Sequence, residues 1–337
     1  MSTPLDESTL PWAITLVDLL SERYGGQALR CNDEFFAEAA NLVKNSKPEF
    51  IDGKYTDRGK WMDGWETRRR RTPGHDWCVL RLGLPGVIRA VDVNTTFFRG
   101  NAPEAVTLEA CWCDEDDPGD DYSGWTELLS HSHVDPNSPN FFEFDDAPAC
   151  THLRLNIFPD GGVARLRAYG QPSTDWSRLL PGEIVDLAAS VNGGRALACS
   201  DMFFSPMNNL IAPGRGINMG DGWETRRRRG PGNDWLICQL ACPGRIQRVL
   251  IDTCHFKGNY PDTFVLEATI TDRQDITADD IEWVTLIPAQ KLKAHTEHVY
   301  QKQLLDKATA FTHVKLSIFP DGGVSRMRIF AYPETGQ

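Results

Sequence analysis

Basic residues are in deficit: Lys and Arg number 35 against 47 Asp and Glu, a formal charge of −12 at pH 7. That field opposes loose binding to phosphate backbones or anionic lipid, so any basic cluster must act locally. A long apolar run is missing too. The first apolar stretch, residues 12–20, is interrupted by Asp18 and preceded by acidic residues, and reads as neither a signal peptide nor a membrane span. The expectation is no nucleic acid and no membrane as partner. Cysteine lacks paired C-x-x-C spacing, and its nine copies suit reduced thiols in the cytoplasm better than a disulfide framework. Metal-ligand patterns are incomplete: His131-x-His133 near Asp135, His295-x-x-His298 and Cys111-x-Cys113 each lack a second half, so no metal is expected. No Gly-x-Ser-x-Gly elbow, phosphate loop or dinucleotide fingerprint occurs, and no cofactor is expected. What is present is a globular composition, 41% apolar and 24% charged with ten Trp and sixteen Phe, over 337 residues, long enough for two domains.

Laid on itself, the chain repeats. Residues 25–36 resemble 193–204, and the nine-residue run Asp-Gly-Trp-Glu-Thr-Arg-Arg-Arg-Arg at 63–71 recurs unchanged at 221–229, followed both times by Pro-Gly-x-Asp-Trp. The register holds through Gly100-Asn101 with Gly258-Asn259 and Trp125 with Trp283, and ends on Phe-Pro-Asp-Gly-Gly-Val at 158–163 and 319–324. Small changes of offset mean loop insertions, not a different fold. Residues 170–174 and Pro181-Gly182 punctuate a stretch without period, which sets the expected domains at 1–174 and 175–337.

Period two dominates each copy. Val106, Leu108, Ala110 and Trp112 alternate with Thr107, Glu109 and Cys111, as do Phe264, Leu266, Ala268 and Ile270 with their neighbours, and as do Leu153, Leu155 and Ile157. These predict half-buried strands. Pro159-Asp160-Gly161-Gly162 predicts a hairpin turn after the last of them. Residues 34–43 allow at most a short helix, because Pro206 stands in the matching segment. Many short strands without βα alternation indicate an all-β sandwich.

In an extended segment Arg68 and Arg70 face one way and Arg69 and Arg71 the other, so only part of each run can converge on a site. Two readings stand: a solvated basic edge paired with Asp63, Glu66 and Asp76, or recognition of an anion by guanidinium forks that Lys cannot replace. A nuclear-localisation or nucleic-acid patch is opposed by the flanking acids and the overall charge. Asp160 and Asp321 in the glycine-rich turns, otherwise structural, are pocket candidates. His152 and His313 form an aligned pair that reads as structural. His255 differs. It lies in Asp252-Thr253-Cys254-His255 where the first copy has Asn94-Thr95-Thr96-Phe97, so the two copies are not equivalent in acid–base capacity.

The repeated Asp-Gly-Trp-Glu-Thr-Arg-Arg, the segment His255-Phe256-Lys257-Gly258-Asn259, the two Phe-Pro-Asp-Gly-Gly-Val turns and Asp33-Glu34-Phe35-Phe36 together resemble the allantoicase family, over residues 25–332. The resemblance implies two tandem jelly-roll β-sandwich domains of the galactose-binding type and a homo-oligomeric cytosolic hydrolase. It implies that allantoate is split into ureidoglycolate and urea in purine breakdown. One carboxylate and two ureido groups need a bidentate cation and hydrogen-bond acceptors. Arg68, Arg69, Arg226 and Arg227 are the expected carboxylate holders, and Asp63, Glu66, Asp221 and Glu224 the ureido acceptors. His255 with Glu224 or Asp252 is the expected acid–base pair, which of them is the acid being open. A tandem sugar- or anion-binding module, or a hydrolase of a related ureido acid such as ureidoglycolate, are the alternatives.

Overall fold

The computed structural model describes residues 10–335. The chain divides after Ser173 into two compact units. Each is organised by an eight-stranded antiparallel sheet with the same strand order, and together they form a duplicated jelly-roll β-sandwich. None of the described helices is long and apolar enough to cross a membrane.

A single long strand governs each unit, Asp76–Asn94 in the first and Asp234–Asp252 in the second. The early part of Asp76–Asn94 is flanked by Gln27–Cys31 and Ala149–Phe158, the later part by Phe141–Glu143 and Arg165–Pro172. Partners change around Pro85-Gly86. Proline has no N–H for the ladder, and a Cβ on Gly86 would stand 2.3 Å from the carbonyl oxygen of Gln171. One strand thereby serves both layers, and the core lies between them, with Leu80, Val91, Leu108, Leu155 and Leu166 all buried.

The period-two reading holds inside Ala105–Cys111, where Val106, Leu108 and Ala110 are buried and Thr107 and Glu109 half-buried. It fails at the strand ends: Trp112 and Ile270 lie past the last paired residues and are exposed. The short helix is a 3-10 turn, Ala39–Val43, matched by Met207–Ile211 with Pro206 as its N-cap. The expected hairpin is absent. Ala149–Phe158 and Arg165–Pro172 both pair with the long strand instead of with each other, because that strand offers an edge to each at a different place along its length. The segment between them instead pairs Gly162–Val163 with Trp65–Glu66, which brings the glycine-rich turn against the arginine run. His152 and His313 are buried, each with Nδ1 at 2.8 Å from the hydroxyl of the preceding threonine, and burial lowers the pKa of both.

Candidate active site

Most of the repeated run is architecture. Asp63 is buried, and its carboxylate accepts from Arg165 Nη2 at 2.6 Å, Lys44 Nζ at 3.2 Å and the Glu49 amide at 3.0 Å. Asp221 is held likewise by Arg326 Nη2 at 2.7 Å. Gly64 is required by close approach, since a Cβ there would lie 2.7 Å from the Phe98 ring and from the Val163 carbonyl oxygen. Trp65 and Trp223 are fully buried, each ring N–H donating to a backbone carbonyl, that of Asp33 or Asp201. Thr67 and Thr225 accept the amides of Gly161 and Gly322 in the glycine-rich turns. Asp160 and Asp321 accept the backbone amides of Arg70 and Arg228.

The arginines divide by parity, as an extended segment requires. Arg70 and Arg228 pair with Asp76 and Asp234. Arg68 and Arg226 pair with Asp33 and Asp201 and lie over the rings of Phe35 and Phe203, so these two expected carboxylate holders already have a carboxylate partner. Arg69 and Arg227 are exposed and have no acidic partner among the described residues, which leaves them free for an external anion.

A second set of groups gathers where the strand Asp234–Asp252 ends. Asp252 is buried and accepts from the Cys254 amide at 2.8 Å and from Arg215 Nε at 3.1 Å. Arg215 lies 3.6 Å from Glu297 Oε1 as well, with its side chain half exposed. His255 has a left-handed backbone, φ 71°, so that Phe256 fills the core while the imidazole stays at the surface. Its Nε2 donates to the Gly216 carbonyl at 2.9 Å, and its backbone N–H donates to His295 Nδ1 at 2.8 Å. The first unit has the same backbone and different chemistry. There Phe97, φ 72°, donates its amide to Asn137 Oδ1 at 2.9 Å, and its ring packs on Phe50.

Arg215 and His295 escaped the sequence reading. Arg215 stands opposite Lys47, since the preceding residues Gly214 and Ser46 accept from the matched Arg326 and Arg165, and no local motif marks it. His295 carries a signal in its position opposite Asn137 in the repeat, which the nearby His298 masks by suggesting half a metal site. Cys254, His255 and His295 do bring one ligand-capable atom each within 4.8 Å of the others. Their present hydrogen bonds already occupy His255 Nε2 and His295 Nδ1.

Glu224 is half-buried and accepts from Asn259 Nδ2. Burial raises its pKa, and the Asn259 bond offsets this only in part. Glu66, accepting from Asn101 Nδ2 at 2.7 Å, is raised for the same reason. No hydrogen bond joins His255 to Glu224 or Asp252 among the described residues. Asp252 ends the strand that leads into the loop of His255, and Glu224 is tied to that loop through Asn259. A raised folded pKa favours the protonated form, so its contribution to stability is present below the unfolded value, about 4.3, and is lost as pH rises through the folded value. Glu224→Gln keeps the acceptor for Asn259 without the charge. Thermal melts should show it matching the wild type below about pH 4 and exceeding it as pH rises.

The family model of the allantoicase repeat matches residues 17–173 and 185–334. A probable allantoicase of Pseudomonas aeruginosa (strain UCBPP-PA14) is 51% identical over 321 residues, covering 94% of this chain and 96% of its own. One from Photobacterium profundum is 48% identical over the same shares. The crystal structure of allantoicase from Saccharomyces cerevisiae is similar with a TM-score of 0.79 at 35% identity, covering 94% of this chain and 93% of its own.

Proposed function

The chain belongs to the allantoicase family, and on that premise we propose that it hydrolyses allantoate to ureidoglycolate and urea using the groups of its second unit. The observation that carries the placement is the pair His255–His295 on a backbone that holds only Phe97–Asn137 in the first unit. Arg227 and the outer face of Arg215 are the cations offered to the substrate carboxylate. Because Nε2 of His255 is committed to Gly216, Nδ1 is the atom that accepts a proton from water as its oxygen bonds to the central carbon. The C–N bond breaks with its electron pair on the departing ureido nitrogen. Glu224, whose burial favours the protonated form, supplies the proton that completes urea. A homo-oligomer in the cytoplasm, where unpaired thiols persist, completes the proposal.

Purified protein incubated with allantoate should release urea and accumulate ureidoglycolate. Binding of allantoate without turnover would make it a binding module. Urea and glyoxylate released from ureidoglycolate alone would make it a hydrolase of the related acid.

A further inference from the structure

The two histidines of the second unit are fixed in complementary states by backbone groups. A carbonyl oxygen only accepts, so the ring nitrogen of His255 facing Gly216 must carry a hydrogen, and in the neutral ring its other nitrogen, Nδ1, is an acceptor. An amide N–H only donates, so His295 Nδ1, which receives the His255 amide, must carry none. The single ring hydrogen of a neutral His295 is thereby placed on Nε2. The rings are 5.7 Å apart between centroids and nearly perpendicular, at 68°, with His295 exposed and His255 half-buried. One presents an acceptor and the other a donor. His295 is itself held in a left-handed backbone, φ 49°, by donation of its amide to the Phe256 carbonyl at 3.2 Å. Strain of this kind persists only where the surroundings over-determine it.

We propose that His295 is a second catalytic histidine, whose Nε2–H donates to the carbonyl oxygen of the departing ureido group. This rests on the reading of the chain as an allantoate hydrolase. As the C–N bond breaks, its electron pair delocalises from the ureido nitrogen onto that oxygen. A neutral, fixed N–H stabilises the charge there before the proton reaches nitrogen. The role does not transfer to the first unit, because Asn137 keeps the bond to the backbone amide and lacks the ring donor.

That difference supplies the test. His295→Asn retains an acceptor for the His255 amide, as the first unit does, and removes the imidazole N–H. With intact protein and allantoate, kcat should fall about 100- to 1000-fold, with KM within threefold and an unchanged melting temperature. Asn137→Ala should leave kcat within twofold. His295→Gln provides a second variant should His295→Asn melt early, with the same fall expected. A variant that melts like the wild type and keeps kcat within threefold overturns the proposal. So does loss of wild-type turnover on dialysis against a chelator with recovery on adding Zn2+, which would make the rings ligands. A wild type inert towards allantoate brings down the underlying reading, and the role of His295 with it.

Discussion

His255→Phe should lower kcat for allantoate by about 100- to 10,000-fold, the usual contribution of a positioned acid–base group, without unfolding the protein. The substitution copies what the first unit already carries at the same backbone position, Phe97 at φ 72° against His255 at φ 71°. The loop does not depend on the imidazole for its shape. The Phe256 amide donates to the Thr253 carbonyl at 3.0 Å, and Thr253 Oγ1 donates to the Lys293 carbonyl at 2.6 Å. What is lost is Nδ1, together with the bond from Nε2 to the Gly216 carbonyl that orients the ring. Phe97→Ala, by the same reasoning, should leave kcat within about twofold. Steady-state release of urea measures both, and a His255→Phe enzyme of full activity would remove the proton acceptor from the mechanism.

Asp63→Ala should destabilise the first unit by about 3–5 kcal/mol in denaturant unfolding and leave KM for allantoate near the wild-type value. Arg165 is fully buried and spends its donors on the carboxylate of Asp63 and on the backbone carbonyls of Asp63, Ala164 and Ser46. Deleting the carboxylate strands a buried guanidinium charge. Burial alone would raise the pKa of Asp63, but Arg165, the Glu49 amide and Lys44 outweigh it and hold the carboxyl below its ordinary value. A lowered folded pKa means that this stabilisation is present above the unfolded value, about 3.9, and is lost as pH falls through the folded one. The wild type should therefore lose stability in acid, and the variant should lose less. A raised KM with unchanged stability would return Asp63 to the role of substrate acceptor.

The duplication, the β-sandwich class and the alternating core of Ala105–Cys111 were legible because they rest on periodicity and self-similarity, which need no partner information. The absent hairpin was not legible. Turn chemistry at 159–162 says that the chain reverses, but not that both flanking strands are claimed by a third, 19-residue strand. The site divides in the same way. His255 could be found by comparing the copies, whereas the run 63–71 drew attention for its charge although much of its identity serves packing. Asp63, Trp65 and Thr67 bond to residues about thirty to a hundred positions away, and no local pattern reveals such partners. Arg215 is tied to Asp252, a pair that the first copy replaces with Lys47 and Asn94.

Glu66 and Glu224 are the twin probes of where the chemistry resides, since both are half-buried, both accept from an asparagine, and both are raised in pKa by burial. Only Glu224 is joined to a loop that carries histidine. The initial rate of urea release from allantoate should fall at least about 100-fold in Glu224→Gln and stay within about twofold of wild type in Glu66→Gln. Equal losses in the two variants, or loss in Glu66→Gln alone, would contradict the assignment of catalysis to the second unit.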